Sequence, residues 1–111
     1  MNRPPVAIAG SWAACALVVF FHVVPARGDA DDGERLAQRW CAACHVVAPD
    51  QKQASADVAP FAAIGRMPGF NAERLAFFLL EPHPKMPTMA LSRGEATDLA
   101  DYIAKLGRTR P

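Results

Sequence analysis

Apolar residues fall into two regimes along the chain. From residue 6 to residue 24 they run almost unbroken, interrupted only by Gly10, Ser11 and His22, until Pro25. Beyond Asp29 they recur at helical spacing among charged residues, the pattern of short amphipathic helices around one core. The first such helix is expected from about Gly33 to Cys44, with Leu36, Ala37, Trp40 and Cys41 on its apolar side. Asp31, Asp32 and Glu34 lie near its start, where the helix dipole favours negative charge. Trp40 is expected in the core, where a large aromatic buries most surface.

Residues 46 to 69 are irregular and punctuated by Pro49, Pro60 and Pro68-Gly69, with room for a short helical turn around Phe61 to Arg66. A loop of this length in a small domain is usually functional. Asn71 is a good N-cap for a second main helix, Phe70 and Leu75 occupy the two positions of a hydrophobic staple, and Pro82 is expected to stop the helix after Leu80. Ser92-Arg93-Gly94-Glu95 is a capping box for the third, in which Ala96, Leu99, Tyr102, Ile103 and Leu106 recur before Gly107, the expected end. No strand pattern competes, so the fold class is all-α, with three main helices and long loops.

The long apolar run, with Arg3 before it and small residues after it, has the layout of a secretory signal. A cut could follow Ala26 or Ala30, and the reading here favours Ala30, giving a leader of residues 1–30 and a domain of residues 31–111. The alternative is an uncleaved membrane anchor, because the run, at 1.5 Å per residue, spans roughly 28 Å. Either way the domain is exported, and with cleavage Cys15 leaves with the leader. A domain of this size has too little apolar core to be comfortable without a staple such as a metal, a disulfide or a large bound group. The chain carries 12 Lys and Arg against 11 Asp and Glu, and removing residues 1–30 leaves ten of each. That balance argues against nucleic acid, which would need a basic face.

Cys41-Ala42-Ala43-Cys44-His45 supplies the candidate staple. C-x-x-C-H is the attachment signature of a c-type haem: two thiols form thioethers to the haem vinyl groups and the adjacent imidazole ligates the iron. A dithiol redox pair would need a βαβ context, and a zinc site would need four ligands, of which the distant His83 would have to be one. The iron's other axial position has its candidates in Pro82-His83-Pro84-Lys85-Met86-Pro87-Thr88-Met89, a loop stiffened by proline. Met86 is preferred, with Met89, His83 and an open position as alternatives; Met67 is expected to be a packing residue.

Together these residues resemble the small class I cytochromes c over essentially all of residues 31–111. Gly33 stands eight residues before Cys41, and Leu99 and Tyr102 match apolar positions of the family's C-terminal helix. The resemblance gives Gly33 the role of letting the two helices touch. Met86-Pro87, followed by Leu91-Ser92, Glu95 and Asp98 to Ile103, is similar to the family's axial-methionine loop, which favours Met86 over Met89. Pro60 resembles the proline whose carbonyl accepts a hydrogen bond from the proximal histidine ring. Two departures are Ala59, where many relatives have glycine, and Ala37, where larger relatives place an aromatic that Trp40 could replace.

The resemblance implies a cytochrome c-like fold around one covalent haem c, its iron held by His45 and Met86. It further implies a periplasmic, monomeric carrier of single electrons between redox partner proteins, transforming no substrate and touching a membrane only if the N-terminal segment is retained. The rival is a haem peroxidase or gas-binding haem module with an open or weakly held sixth position.

Overall fold

A computed structural model describes residues 1–5, 10, 19–20, 22, 28–55, 57–81 and 85–109. Among them four helices form and no strand: α1 (Ala30–Trp40), α2 (Phe61–Gly65), α3 (Ala72–Leu80) and α4 (Arg93–Arg108). Local chemistry sets most of their ends. The Ser92 hydroxyl accepts from Glu95 N–H and the Glu95 carboxylate from Ser92 N–H, closing the capping box; those bonds hold the Glu95 carboxyl below its usual range. Asn71 accepts from Arg74 N–H at 2.8 Å to start α3. Glu81, which precedes Pro82, leaves the helix with extended backbone, as the residue before a proline prefers.

α1 begins earlier than the apolar pattern implied and ends earlier too. Asp29 caps it through Asp31 and Asp32 N–H, so its first turn lies upstream of Gly33. After Trp40 the chain tightens into a turn, in which both Cys41 and Ala42 N–H reach the Ala37 carbonyl, at 2.9 and 3.1 Å. The attachment motif is therefore a separate turn, not the last turn of a regular helix.

α4 is the beam of the fold. α1, α2 and α3 each pack on it, and none of the three packs on another. Its Leu99, Ala100, Tyr102 and Ile103 are buried along with Ala37 of α1, Phe61 of α2 and Val47 of the loop. Two crossings bring backbones into contact. A Cβ on Gly33 would overlap the Asp98 carbonyl and the Tyr102 Cβ, and one on Gly107 would strike the Gly65 backbone. Gly107 consequently does not end α4: the helix runs through it to Arg108, and its missing side chain admits α2 instead.

Trp40 also departs from expectation. It is 39% exposed, with the Arg39 guanidinium 5.1 Å from its ring centroid, and does not join the core. Ala37 is fully buried without its help.

Candidate haem attachment site

The motif turn is built on one carbonyl. Cys41 O accepts from Cys44 N–H at 3.1 Å and from His45 N–H at 2.8 Å, which stacks the three motif side chains in less than two helical turns. Cys41 is buried, Cys44 is exposed, and neither is in a disulfide. Burial, with Cys44 beside it, pushes the Cys41 thiol up to about 11. That is the opposite of the lowered thiol a dithiol redox pair uses.

His45 Nδ1 lies 2.7 Å from the Ala59 carbonyl oxygen. A carbonyl can only accept, so Nδ1 carries a proton, and in the neutral ring this leaves the Nε2 lone pair as the one a metal would take. The ring is flanked by Phe61, 5.1 Å between centroids. The acceptor is one residue earlier than the sequence reading placed it. Pro60 O is taken by Ala63 and Ile64 N–H, each at 3.0 Å, because it opens α2 as the N-cap; Pro60 thus fixes the Ala59 peptide without being the acceptor.

Two further residues hold the segment after His45, and neither carries a local sequence signal. The Gln51 side chain meets Ala42, His45 and Gln53 carbonyls and Val47 N–H. The Tyr102 hydroxyl, buried in the core, donates to Val47 O at 2.6 Å.

Met86 and Met89 are both partly buried against the core, and Met67 is exposed. His83 and Cys15 lie outside the described residues. Among the described residues no three His, Cys, Asp or Glu side chains gather as a metal-binding group, so the zinc reading finds no ligand set there. A cavity of about 570 Å³ between α3 and α4, lined by Ala76, Phe77, Leu80 and Thr97, includes none of the motif residues.

The family model described as "Cytochrome C oxidase, cbb3-type, subunit III" matches residues 28–103. The chain belongs to this family of cytochromes c. A cytochrome c-552 of Bradyrhizobium diazoefficiens is 62% identical over 78 residues, covering 70% of this chain and 75% of the relative. No solved structure matches.

This cytochrome is a monohaem c-type protein whose cofactor is covalent haem c with its iron. The residues present fit that group. Two unpaired thiols, an imidazole with a free Nε2 and two half-buried thioethers form a donor set suited to haem c. The helices α1, α2 and α3 meet α4 without meeting one another, so nothing of the helices themselves joins α1 to α2 or α3 on the sides away from α4. Ile64, Phe70 and Leu75 are partly buried and together line a cavity of about 260 Å³ beside α2 and α3.

Proposed function

We propose that this cytochrome is an exported carrier of single electrons, in which Cys41 and Cys44 hold haem c through thioethers, His45 is the proximal ligand and Met86 the ligand opposite. When bound, the haem iron takes up and releases one electron and no substrate is transformed. The observation that carries the reading is the His45–Ala59 hydrogen bond, which fixes the ring, its tautomer and its basicity together. Met86 is supported by its partial burial, by Pro87 next to it and by its place between α3 and α4. The likeness to a cytochrome c-552 supports the carrier role. A carrier needs a donor and an acceptor protein, and the near-equal charges argue against a nucleic-acid partner.

Residues 6 to 24 support export to the periplasm, and no helix among the described residues is long and apolar enough to cross a membrane. Of the two cut positions, the contacts upstream of Asp31 favour Ala26 over Ala30, which would leave a domain of residues 27–111. Gly28 N–H donates to Asp101 Oδ2 at 2.6 Å, Asp29 N–H donates to Asp98 Oδ1 at 2.7 Å, and the Asp29 side chain caps α1. A chain begun at Asp31 would lose all of these and would put an ammonium group where the helix dipole disfavours one. The family match also starts at residue 28. Intact mass of the native holoprotein decides: a chain starting at Asp31 or Met1 overturns the placement.

Absorption spectroscopy tests the ligand set. A low-spin ferric spectrum with the weak far-red sulfur-to-iron band is expected, lost in Met86→Ala together with a fall in reduction potential and kept in Met89→Ala. The reverse pattern moves the role to Met89. A high-spin parent that binds carbon monoxide at neutral pH would favour the peroxidase or gas-binding reading.

A further inference from the structure

We infer that Gln51 is the positioning residue for His45, an inference that rests on His45 being the proximal ligand. Val47 N–H points at one end of the Gln51 amide, 2.9 Å away, so that end is the oxygen. Three carbonyls meet the other end, Ala42 O at 3.1 Å, His45 O at 2.9 Å and Gln53 O at 3.0 Å, so it is the nitrogen, its two N–H groups shared among them. The amide therefore joins the turn that follows α1, the histidine itself and the strand of loop after it.

With this clamp every polar group of His45 but one is engaged. Its N–H is on Cys41 O, its carbonyl on Gln51 and its Nδ1 on Ala59 O, leaving Nε2 for the iron. Val47 is fixed in the same way, its N–H by Gln51 and its carbonyl by Tyr102 of α4. Gln51 thus ties the proximal histidine to the central helix through three hydrogen bonds, His45 to Gln51, Gln51 to Val47 and Val47 to Tyr102. Backbone bonds from Ser55 N–H to Cys44 O and from Phe61 N–H to Val46 O pin the flanks of this segment, but among the described residues none joins Ala42 to Val47; the Gln51 side chain makes that link.

The test uses the haem-loaded protein. Gln51→Met keeps the length of the side chain and removes the amide. Exchange of the Val47 amide hydrogen should then accelerate at least tenfold relative to parent, and the ferric haem-methyl and His45 ring hyperfine shifts should move. Ser92→Ala, which loosens the α4 cap elsewhere, should lower the denaturation midpoint yet leave both readouts unchanged. Gln51→Glu separates the two halves: it keeps the acceptor for Val47, so that amide should stay protected, while a carboxylate set against three carbonyl oxygens should still displace the His45 signals. Parent-like exchange and parent-like shifts in Gln51→Met would overturn the inference. Absence of any hyperfine shift on His45 in the parent would instead overturn the ligand assignment, with Val47 exchange still reporting on the clamp.

Discussion

Gly33→Ala replaces one hydrogen by a methyl group at the point where α1 and α4 touch. The added Cβ would lie 2.7 Å from both the Asp98 carbonyl carbon and the Tyr102 Cβ, and closer still to the Asp98 oxygen. Ordinary contact is about 3.5 Å or more, so the helices must part by the order of 1 Å. Neither neighbour is a flexible side-chain end, and overpacking of this kind costs about 1–3 kcal/mol. Alanine's better helix propensity offsets about 1 kcal/mol of that. The upper half of the range applies here because backbone is struck, which gives a net loss of about 1–2 kcal/mol and a fall in Tm of roughly 4–16 °C for a domain this small. Gly94→Ala is the matched control: it is the same exchange in the first turn of α4, where a Cβ would meet only Ser92 Oγ at 3.9 Å, and it should leave stability unchanged or raise it. Guanidinium unfolding of the ferric holoprotein, followed by far-ultraviolet circular dichroism, gives both numbers. A Gly33→Ala protein as stable as its parent would refute the close crossing.

Tyr102 provides a test in pH. Burial, then the Glu34 and Asp50 carboxylates, pushes its phenol up to about 12 from an ordinary value near 10. The folded state holds this proton more tightly than the unfolded chain, so its contribution is complete below about pH 10 and is lost as pH rises towards about 12. Tyr102→Phe should flatten the loss of stability across that window, and at pH 7 should cost about 1–2 kcal/mol by leaving Val47 O without its partner; parallel urea-midpoint profiles for the two proteins would contradict this. Asp29→Ala removes the side chain that accepts from Asp31 and Asp32 N–H and should cost about 1 kcal/mol of unfolding free energy. A null effect of Asp29→Ala would remove the cap as a reason for keeping residues 27–30 in the mature domain.

How much of this was legible in the sequence depends on how far each interaction reaches. The capping box at Ser92 and Glu95, the Asn71 cap and the C-x-x-C-H turn join residues at most four apart, so spacing alone exposes them. Gly107 shows where such local rules stop. A glycine near the end of an apolar repeat satisfies the rule for a helix C-cap, yet its missing side chain is used by Gly65, forty-two positions earlier in the chain. Trp40 fails for a related reason: periodicity puts it on the Leu36 side of α1, but the buried line runs through Gly33, Ala37 and Cys41, leaving Leu36 half-buried and Trp40 exposed.

The site itself divides along the same line. Its reactive atoms belong to side chains that a motif can announce, whereas the groups that orient them are main-chain carbonyls, which every residue possesses. Ala59 and Pro60 both offer a carbonyl, and only the path of the loop decides that Ala59 meets His45 while Pro60 caps α2. Gln51 is harder still to find, since a glutamine in a loop has no default partner and its role appears only when the chain brings Ala42, His45 and Val47 within reach of one amide. On the proposed ligand set, the chemistry of this cytochrome is carried by five adjacent residues and Met86, and the contacts that orient the motif run from His45–Gln51, six residues apart, to Val47–Tyr102, fifty-five apart. Substitutions outside the motif that leave its five residues intact should therefore be able to change what the haem site does.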